Sequence, residues 1–501
     1  MRKLLYLFIS SCFALMVSCM NDEDYTISAA DKLRFSTDTV KFDTIISGSP
    51  TNTYTFTVYN PANKAIRIPQ VKLESGAASP FKVNVDGTPL VNGAAMDFEI
   101  ASKDSLIVLL MANLPESEAI EPIPSSDNLV FITEAGVEQK VALSASGITV
   151  TPLSGMRISE NTTFHSPRPY RVMDSLVVDA GCTLTLAAGT QILFHPKATL
   201  TVHGTLRVEG TAESPVMLRG DRMGYMFDGQ PYDRIPGQWG GIVLTKSSYG
   251  NYINHADIHS SNWGLRADSS DIGREKLRLE NSIIHNTQNH GLDLRMANAY
   301  IGNCQLTNAG GNCVQVTGGD VQIVHCTIAR FYIFSGGNGT ALNFRNYDGS
   351  IRMPLKRLEV VNSIITGYSS DELMGGRNAE HEHDAFNYTF SHCLINTPRP
   401  EKEDAKMRNC YWDYNDGTTS EGDTLVTRDE NFVPKPDLEA LTFSFELSPH
   451  SKAIGHADAT VTAATYPNDA KGRSRGSKPD MGCYQHPNNN EHGSKKNKPL
   501  D

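Results

Sequence analysis

Seven four-residue stretches decide the fold: His255-Ala256-Asp257-Ile258, Asn281-Ser282-Ile283-Ile284, Asn303-Cys304-Gln305-Leu306, His325-Cys326-Thr327-Ile328, Asn362-Ser363-Ile364-Ile365, His392-Cys393-Leu394-Ile395 and Asn409-Cys410-Tyr411-Trp412. Each reads Asn or His, a small residue, any residue, then a large apolar residue. Their starts are 26, 22, 22, 37, 30 and 17 residues apart. A period of about 22 residues is one circuit of a solenoid of short strands, and the longer intervals are circuits carrying loops. One circuit cannot bury its own apolar side. Stacked circuits pair strand on strand, ~4.8 Å apart, and share one continuous core. Identical positions then form ladders, a small one (Ala256, Ser282, Cys304, Cys326, Ser363, Cys393, Cys410) and a large one (Ile258, Ile284, Leu306, Ile328, Ile365, Ile395, Trp412).

A second strand follows about ten residues later in most circuits: Gly264-Leu265-Arg266, Gly291-Leu292-Asp293-Leu294, Cys313-Val314-Gln315-Val316 and, after a longer loop, Ala341-Leu342-Asn343-Phe344. Stacked in order, its outward positions form two columns, Arg266-Asp293-Gln315-Asn343 and Asp268-Arg295-Thr317-Arg345. Arg266 then faces Asp293, and Asp268 faces Arg295. These are either surface salt bridges or the floor of a groove for an extended sugar chain, with Trp263 as a stacking platform. Upstream, Ser175 to Val178, Thr183 to Leu186, Gln191 to Phe194, Thr199 to Val202 and Thr205 to Val208 are short β runs separated by Gly, Ala or Pro. The reading is an all-β chain with a right-handed parallel β-helix of about ten turns over 149–430.

Gln238-Trp239-Gly240-Gly241-Ile242-Val243-Leu244 resembles the W-G-G-I motif of pectin-lyase-like β-helix proteins, and the likeness covers roughly Thr149 to Tyr414. Ser448-Pro449, Ala453-Ile454-Gly455, Asp469, Gly472-Arg473 and Pro479-Asp480-Met481-Gly482-Cys483-Tyr484 resemble the closing pattern of such proteins, with Cys483 and Gln485 as departures. The resemblance implies a C-terminal cap over 431–486 that seals the open end of the solenoid. It also implies a carbohydrate ligand. Lyases of this fold use a calcium-holding acidic cluster with an Arg or Lys base, so calcium is implied only if the chain is a lyase. No dense Asp/Glu cluster falls on adjacent turns. The hydrolase motifs N-T-D, D-D and G-H-G are absent, Asn289-His290-Gly291 being a faint echo.

The N-terminus reads as a lipoprotein signal peptide over 1–18. Arg2 and Lys3 precede an apolar run, Leu4 to Val17, that is too short to span a membrane. Met16-Val17-Ser18-Cys19 resembles a lipobox, which makes Cys19 the lipidation site. The following Met20-Asn21-Asp22-Glu23-Asp24 resembles the acidic signal that sends Gram-negative lipoproteins to the outer face, within a tether over 19–31. From 32 to 148, short strands between turn residues suggest an immunoglobulin-like β-sandwich without the Cys and Trp signature. Thr53 to Tyr59 alternates as a half-buried strand, whereas Ser105 to Leu110 and Asn128 to Ile132 read as buried ones. From 487 to 501 the chain is polar, with the composition of a disordered tail.

A net charge of -11 opposes nucleic-acid binding. Cys304, Cys326, Cys393 and Cys410 fill the same place as Ala256 and Ser282, which suits volume fillers rather than zinc ligands. One loop, Arg377 to Asp384, places His381, His383 and Asp384 where they form a weak metal candidate, the alternative being a solvated loop. No cofactor is expected. The sequence thus points to an outer-membrane, cell-surface lipoprotein held by lipid alone. Its β-helix is expected to bind or present a complex acidic polysaccharide through Trp263, Arg266, Asp293, Arg295 and Arg345, with no assigned catalytic residue. The alternatives are a polysaccharide lyase or glycosidase, and an adhesin or spacer.

Overall fold

The computed structural model describes residues 24–165, 167–227, 229–334, 339–398, 405–413, 428–437, 441 and 443–487. The signal segment, Cys19, the start of the acidic tether and the tail from 488 lie outside the described residues. The chain divides into two compact units between Thr149 and Val150, and each is all-β apart from short helical turns.

The first unit is a sandwich of two five-stranded sheets. One runs in the order β1 (Arg34–Phe35), β3 (Tyr54–Tyr59), β8 (Ser105–Ala112), β5 (Phe81–Val85), β6 (Thr88–Pro89). The other runs β2 (Thr39–Ile46), β10 (Glu138–Ile148), β9 (Ile123–Ile132), β4 (Ile66–Leu73), β7 (Ala94–Ile100). Pairing is antiparallel except between β2 and β10, which run parallel. Phe56, Val58, Val108, Leu110, Phe131 and Leu143 meet in the core. The apolar run in β8 misleads. Its residues alternate in burial, and Ile107, Leu109 and Met111 point to solvent, Ile107 at 51% exposure. Asn128 to Ile132 does contribute the buried Leu129, Val130 and Phe131.

The second unit is a parallel β-helix. Eleven strands, from Thr151–Leu153 to Tyr411–Trp412, stack as face I. A seventeen-stranded sheet folds to make the other two sides. Face II carries Leu265–Ala267 and Leu342–Arg345, and face III carries Leu277–Glu280 and Leu355–Val361. The long strands Leu292–Gly302 and Val314–Val324 cross from one to the other. The register on face I pairs Ile258, Ile284, Leu306, Ile328, Ile365, Ile395 and Trp412 in succession, so the large ladder forms as read. Its first six members are fully buried. The small-position cysteines 304, 326 and 393 are buried free thiols, raised well out of the reactive range by desolvation for Cys304 and Cys393.

The Asn or His that opens each repeat turns the chain from face III to face I. All seven, His255, Asn281, Asn303, His325, Asn362, His392 and Asn409, have φ between 48° and 58°. Among L-residues, Asn and His are enriched in this left-handed region. Their side chains also bond along the axis. Asn281 Nδ2 donates to Asn254 Oδ1 at 2.8 Å, and Asn303 Nδ2 to Asn281 Oδ1 at 2.7 Å. Gly241 is needed for a different reason: at φ 109° its backbone passes so close to Trp263 that a Cβ would lie 1.8 Å from the Trp263 carbonyl oxygen. Trp239 is buried, stacked on Phe194 at 4.1 Å, and its Nε1 donates to His259 O at 2.8 Å.

The C-terminal segment does not take the place expected of an end cap. Its described residues run back along the side of the solenoid. Phe432, Phe445, Leu447, Met481 and Tyr484 pack on Ala329, Phe331, Ile364 and Leu394, so these positions outside the solenoid core are buried beneath it. Polar contacts reach successively earlier turns. Gly482 N donates to Asn362 O, Cys483 N to Thr327 Oγ1, Tyr484 OH to Gln305 Oε1, Arg475 to Asn303 Oδ1 and Tyr466 OH to Glu280 Oε1. The motif residues hold this strap in shape. Asp469 accepts from the backbone N–H groups of Lys471, Arg473 and Gln485, and Asp480 from those of Gly455 and His486.

Candidate functional site

Alternation along a strand sends residues 266, 293, 315 and 343 to the outer side of face II, and the register pairs them in that order. Arg295, Thr317 and Arg345 form the neighbouring column. The first column is as expected, and the second from Arg295 onward; Asp268 lies just past its strand, outside the paired register, and the ion pairs differ from those expected. Arg266 Nε turns along its own strand to Asp268 Oδ1 at 2.9 Å, and Arg295 pairs with Asp348 from a hairpin two circuits further on. Arg345 reaches the same carboxylate at 3.3 Å. Asp293, Gln315 and Thr317 are buried although they point outward.

Asp293 is 5% exposed and its Oδ1 has no hydrogen-bond partner. Burial pushes its carboxyl up to about 6, although Arg295, Arg266 and Arg345 oppose the shift. Arg345 Nε is a second buried atom without a partner in the same patch. Gln315 is committed elsewhere, accepting from Asn312 Nδ2 and donating to Thr317 Oγ1. Trp263 is half-buried at the strand entrance, its ring edge-on to His290 of the next turn at 5.4 Å. His290 Nδ1 accepts from Asn312 N at 2.8 Å, and burial holds its imidazole down at about 4. The patch thus brings together Asp293, Arg266, Arg295 and Arg345, while Trp263 stands at the strand entrance against His290. The patch can offer guanidinium donors and one carboxyl that changes protonation near pH 6.

The loop with His381 and His383 does not assemble a metal site. Asp384 is buried and engaged by Arg352, with one bond at 2.7 Å and a second to the other oxygen. Among the described residues the group suited to a metal is Asp257, His259 and His285 on face I, whose donor atoms all lie within 4.8 Å of one another. Sequence reading passed over it. The signal was present: His259 and His285 each follow the large apolar position of their repeat, which aims both outward on adjacent turns. Burial pushes the Asp257 carboxyl up, but the two imidazoles outweigh it and hold the group well below the usual carboxylate range.

No protein-family model matches the chain, and no curated protein matches it. Matches among solved structures are partial. A family 123 glycoside hydrolase from Clostridium perfringens is 8% identical over 25% of this chain and 30% of its own, with a TM-score of 0.19. The YadV chaperone is 14% identical over 23% of this chain and 50% of its own, with a TM-score of 0.17. A PapD-like domain of human CEP192 is 12% identical over 26% of this chain and 93% of its own, with a TM-score of 0.16. At these values they assign neither fold nor function. No helix among the described residues is long and apolar enough to cross a membrane.

Proposed function

We propose that the outward side of face II binds an extended acidic polysaccharide, and that a lipid on Cys19 holds the chain at the outer surface of a Gram-negative envelope. One observation carries the reading: three arginines, Arg266, Arg295 and Arg345, surround a buried patch in which Asp293 Oδ1 and Arg345 Nε lack partners. Buried polar atoms are rarely left unpaired, and a ligand is one way to satisfy them. Guanidinium groups donate paired hydrogen bonds to carboxylate or sulfate, which favours an acidic chain over a neutral one. The likeness of the repeat and of the Trp239 motif to pectin-lyase-like proteins supports a sugar over a protein partner.

The test is retention of the purified ectodomain on uronate-containing, sulfated and neutral polysaccharides. Retention of an acidic polymer should weaken about tenfold or more in the Arg295→Ala, Arg345→Ala double variant, with a flatter salt dependence. A wild-type protein that retains none of them ends the proposal and leaves an adhesin or spacer. Lipid-precursor labelling tests the anchor: label persisting on Cys19→Ala would remove it.

A second reading, cleavage of the same polymer, is favoured by the Asp293 carboxyl, held where a group can both give and take a proton near neutrality. Under it, wild-type protein releases new reducing ends or an unsaturated uronate chromophore, and Asp293→Asn does not.

A further inference from the structure

Asp257, His259 and His285 belong to the outer side of face I, away from the proposed glycan patch. Strands Ala256–His259 and Ile283–Thr287 pair in parallel with His259 opposite His285, so the two imidazoles face each other with centroids 4.8 Å apart. Asp257, two residues before His259, points to the same side. Its Oδ1 lies 2.8 Å from His259 Nδ1 and 3.2 Å from His285 Nε2. Three donors from two rigid neighbouring strands therefore converge on one point.

The spacing suits an ion. Bonds of ~2.0–2.1 Å to tetrahedral zinc put ligand atoms ~3.3 Å apart, close to the 2.8 and 3.2 Å that separate Asp257 Oδ1 from the two imidazole nitrogens. The electrostatics also suit one. Two cations of the neighbourhood have counter-ions of their own: Arg219 pairs with Asp233 at 3.2 Å and Lys471 with Glu446. Asp257 forms an ion pair with no Arg or Lys among the described residues, only with the two imidazoles. The set of two nitrogens and one carboxylate matches late first-row divalent metals and is short of the oxygen count that calcium wants.

The cluster also opens on a space. Asp257 and His285 line a cleft of about 430 Å³ between face I and the C-terminal strap, with Phe443 and Tyr484 on the strap side. Asn308 lines the same cleft, is almost wholly buried, and has an Nδ2 without a partner. A buried donor left unpaired in a cleft points to an acceptor that the chain does not supply.

We propose that Asp257, His259 and His285 bind a zinc-class divalent ion whose remaining coordination positions face the cleft beneath the strap. Such a site has three protein ligands and room for water or a small oxygen ligand, the arrangement of zinc sites that keep an open position. Asn308 Nδ2 is placed to donate to that ligand or to waters beyond it.

The experiment uses the whole ectodomain, stripped with chelator and titrated with zinc alone, then with cobalt. The expected result is one tightly held zinc per chain, a higher melting temperature in the loaded form, and cobalt absorption bands of four- or five-coordinate intensity. His285→Ala, at a half-buried position, and the near-isosteric Asp257→Asn should each weaken zinc binding by at least ~10-fold while the stripped proteins remain folded. His381→Ala should bind as wild type. Failure of the folded wild-type protein to retain stoichiometric zinc overturns the proposal. So does retention unchanged in both variants, which would place the metal elsewhere. Neither outcome touches the glycan patch, because its assay reads a different face.

Discussion

Asp293 sits directly opposite Arg266 of the neighbouring turn, yet the two share no hydrogen bond. The guanidinium is drawn to Asp268, just past the end of its own strand, where both groups keep contact with water. Asp293 is left nearly dry, with three positive charges close enough to lower its pKa but none in contact. Desolvation wins, and the carboxyl rises to about 6.

The pH dependence follows. A carboxyl raised from 3.8 to about 6 makes the folded protein hold more protons than the unfolded chain between those values. Stability from this group therefore falls as pH rises through that window and stays low above it. Asp293→Asn should stabilise the protein by about 2–3 kcal/mol at pH 7.5 and by little at pH 4. Thermal melts at the two pH values check this, and an equal change at both would mean that the group is not desolvated. For the same reason, retention of an acidic glycan should strengthen as pH falls from 7.5 to 5, when the carboxyl gains a proton.

The core ladder gives a contrast between two neighbours. Ile328→Asp places a charge between stacked turns with nothing to pair it and should cost more than about 4 kcal/mol. Cys326→Ser should change stability by less than about 1 kcal/mol. Its hydroxyl has a partner waiting, because Ser363 in the same column donates to Val361 O at 2.9 Å and Cys326 already points at Val324 O. Urea titration of both variants tests the rung register.

At the corner, conformation and hydrogen bonding separate. Asn281 has a φ of 49° and bonds to both neighbouring turns. Asn281→Gly keeps the first property and loses the second; Asn281→Val loses both. The valine variant should be less stable than the glycine variant by about 1–2 kcal/mol. Equal melting temperatures would show that the corner is not strained.

The strap hangs on a buried cation. Arg475 is fully buried and donates to Asn303 Oδ1, Asp480 O and Gly482 O. Arg475→Met removes all three of these hydrogen bonds from a buried site, at a cost of about 3–5 kcal/mol. Limited proteolysis should then release the segment after residue 428 before it cuts the earlier turns. Simultaneous loss of both regions would show that the strap is not separately held.

The sequence made some of this legible and hid the rest for identifiable reasons. The ladders and the face II columns were readable because stacking forces a linear code onto equivalent positions. The repeat showed Asn or His opening each circuit but not the left-handed backbone they share there. Arg295 was misassigned a partner because Asp348 comes from a hairpin whose reach no repeat predicts. Strand β8 was misread because its solvent side carries Ile107, Leu109 and Met111, which imitate a buried run. The lateral strap left a trace that the repeat reading did not use. The free position of the repeat is apolar in two successive circuits, at Ile364 and Leu394, where Phe445 and Met481 come to lie.

That strap also imposes an order on assembly. Arg475 meets a partner 172 residues upstream, and Tyr466 one 186 upstream. Turns around Glu280 and Asn303 are synthesised long before the groups that fasten them. Until the last part of the chain arrives, Ala329, Ile364 and Leu394 form a greasy seam along the flank of an otherwise finished stack. A nascent or clipped chain lacking residues after 428 would therefore be sticky more than floppy, prone to lie side by side with its own kind. The strap would act in this sense as a chaperone for the stack, made after the turns it covers and kept on them.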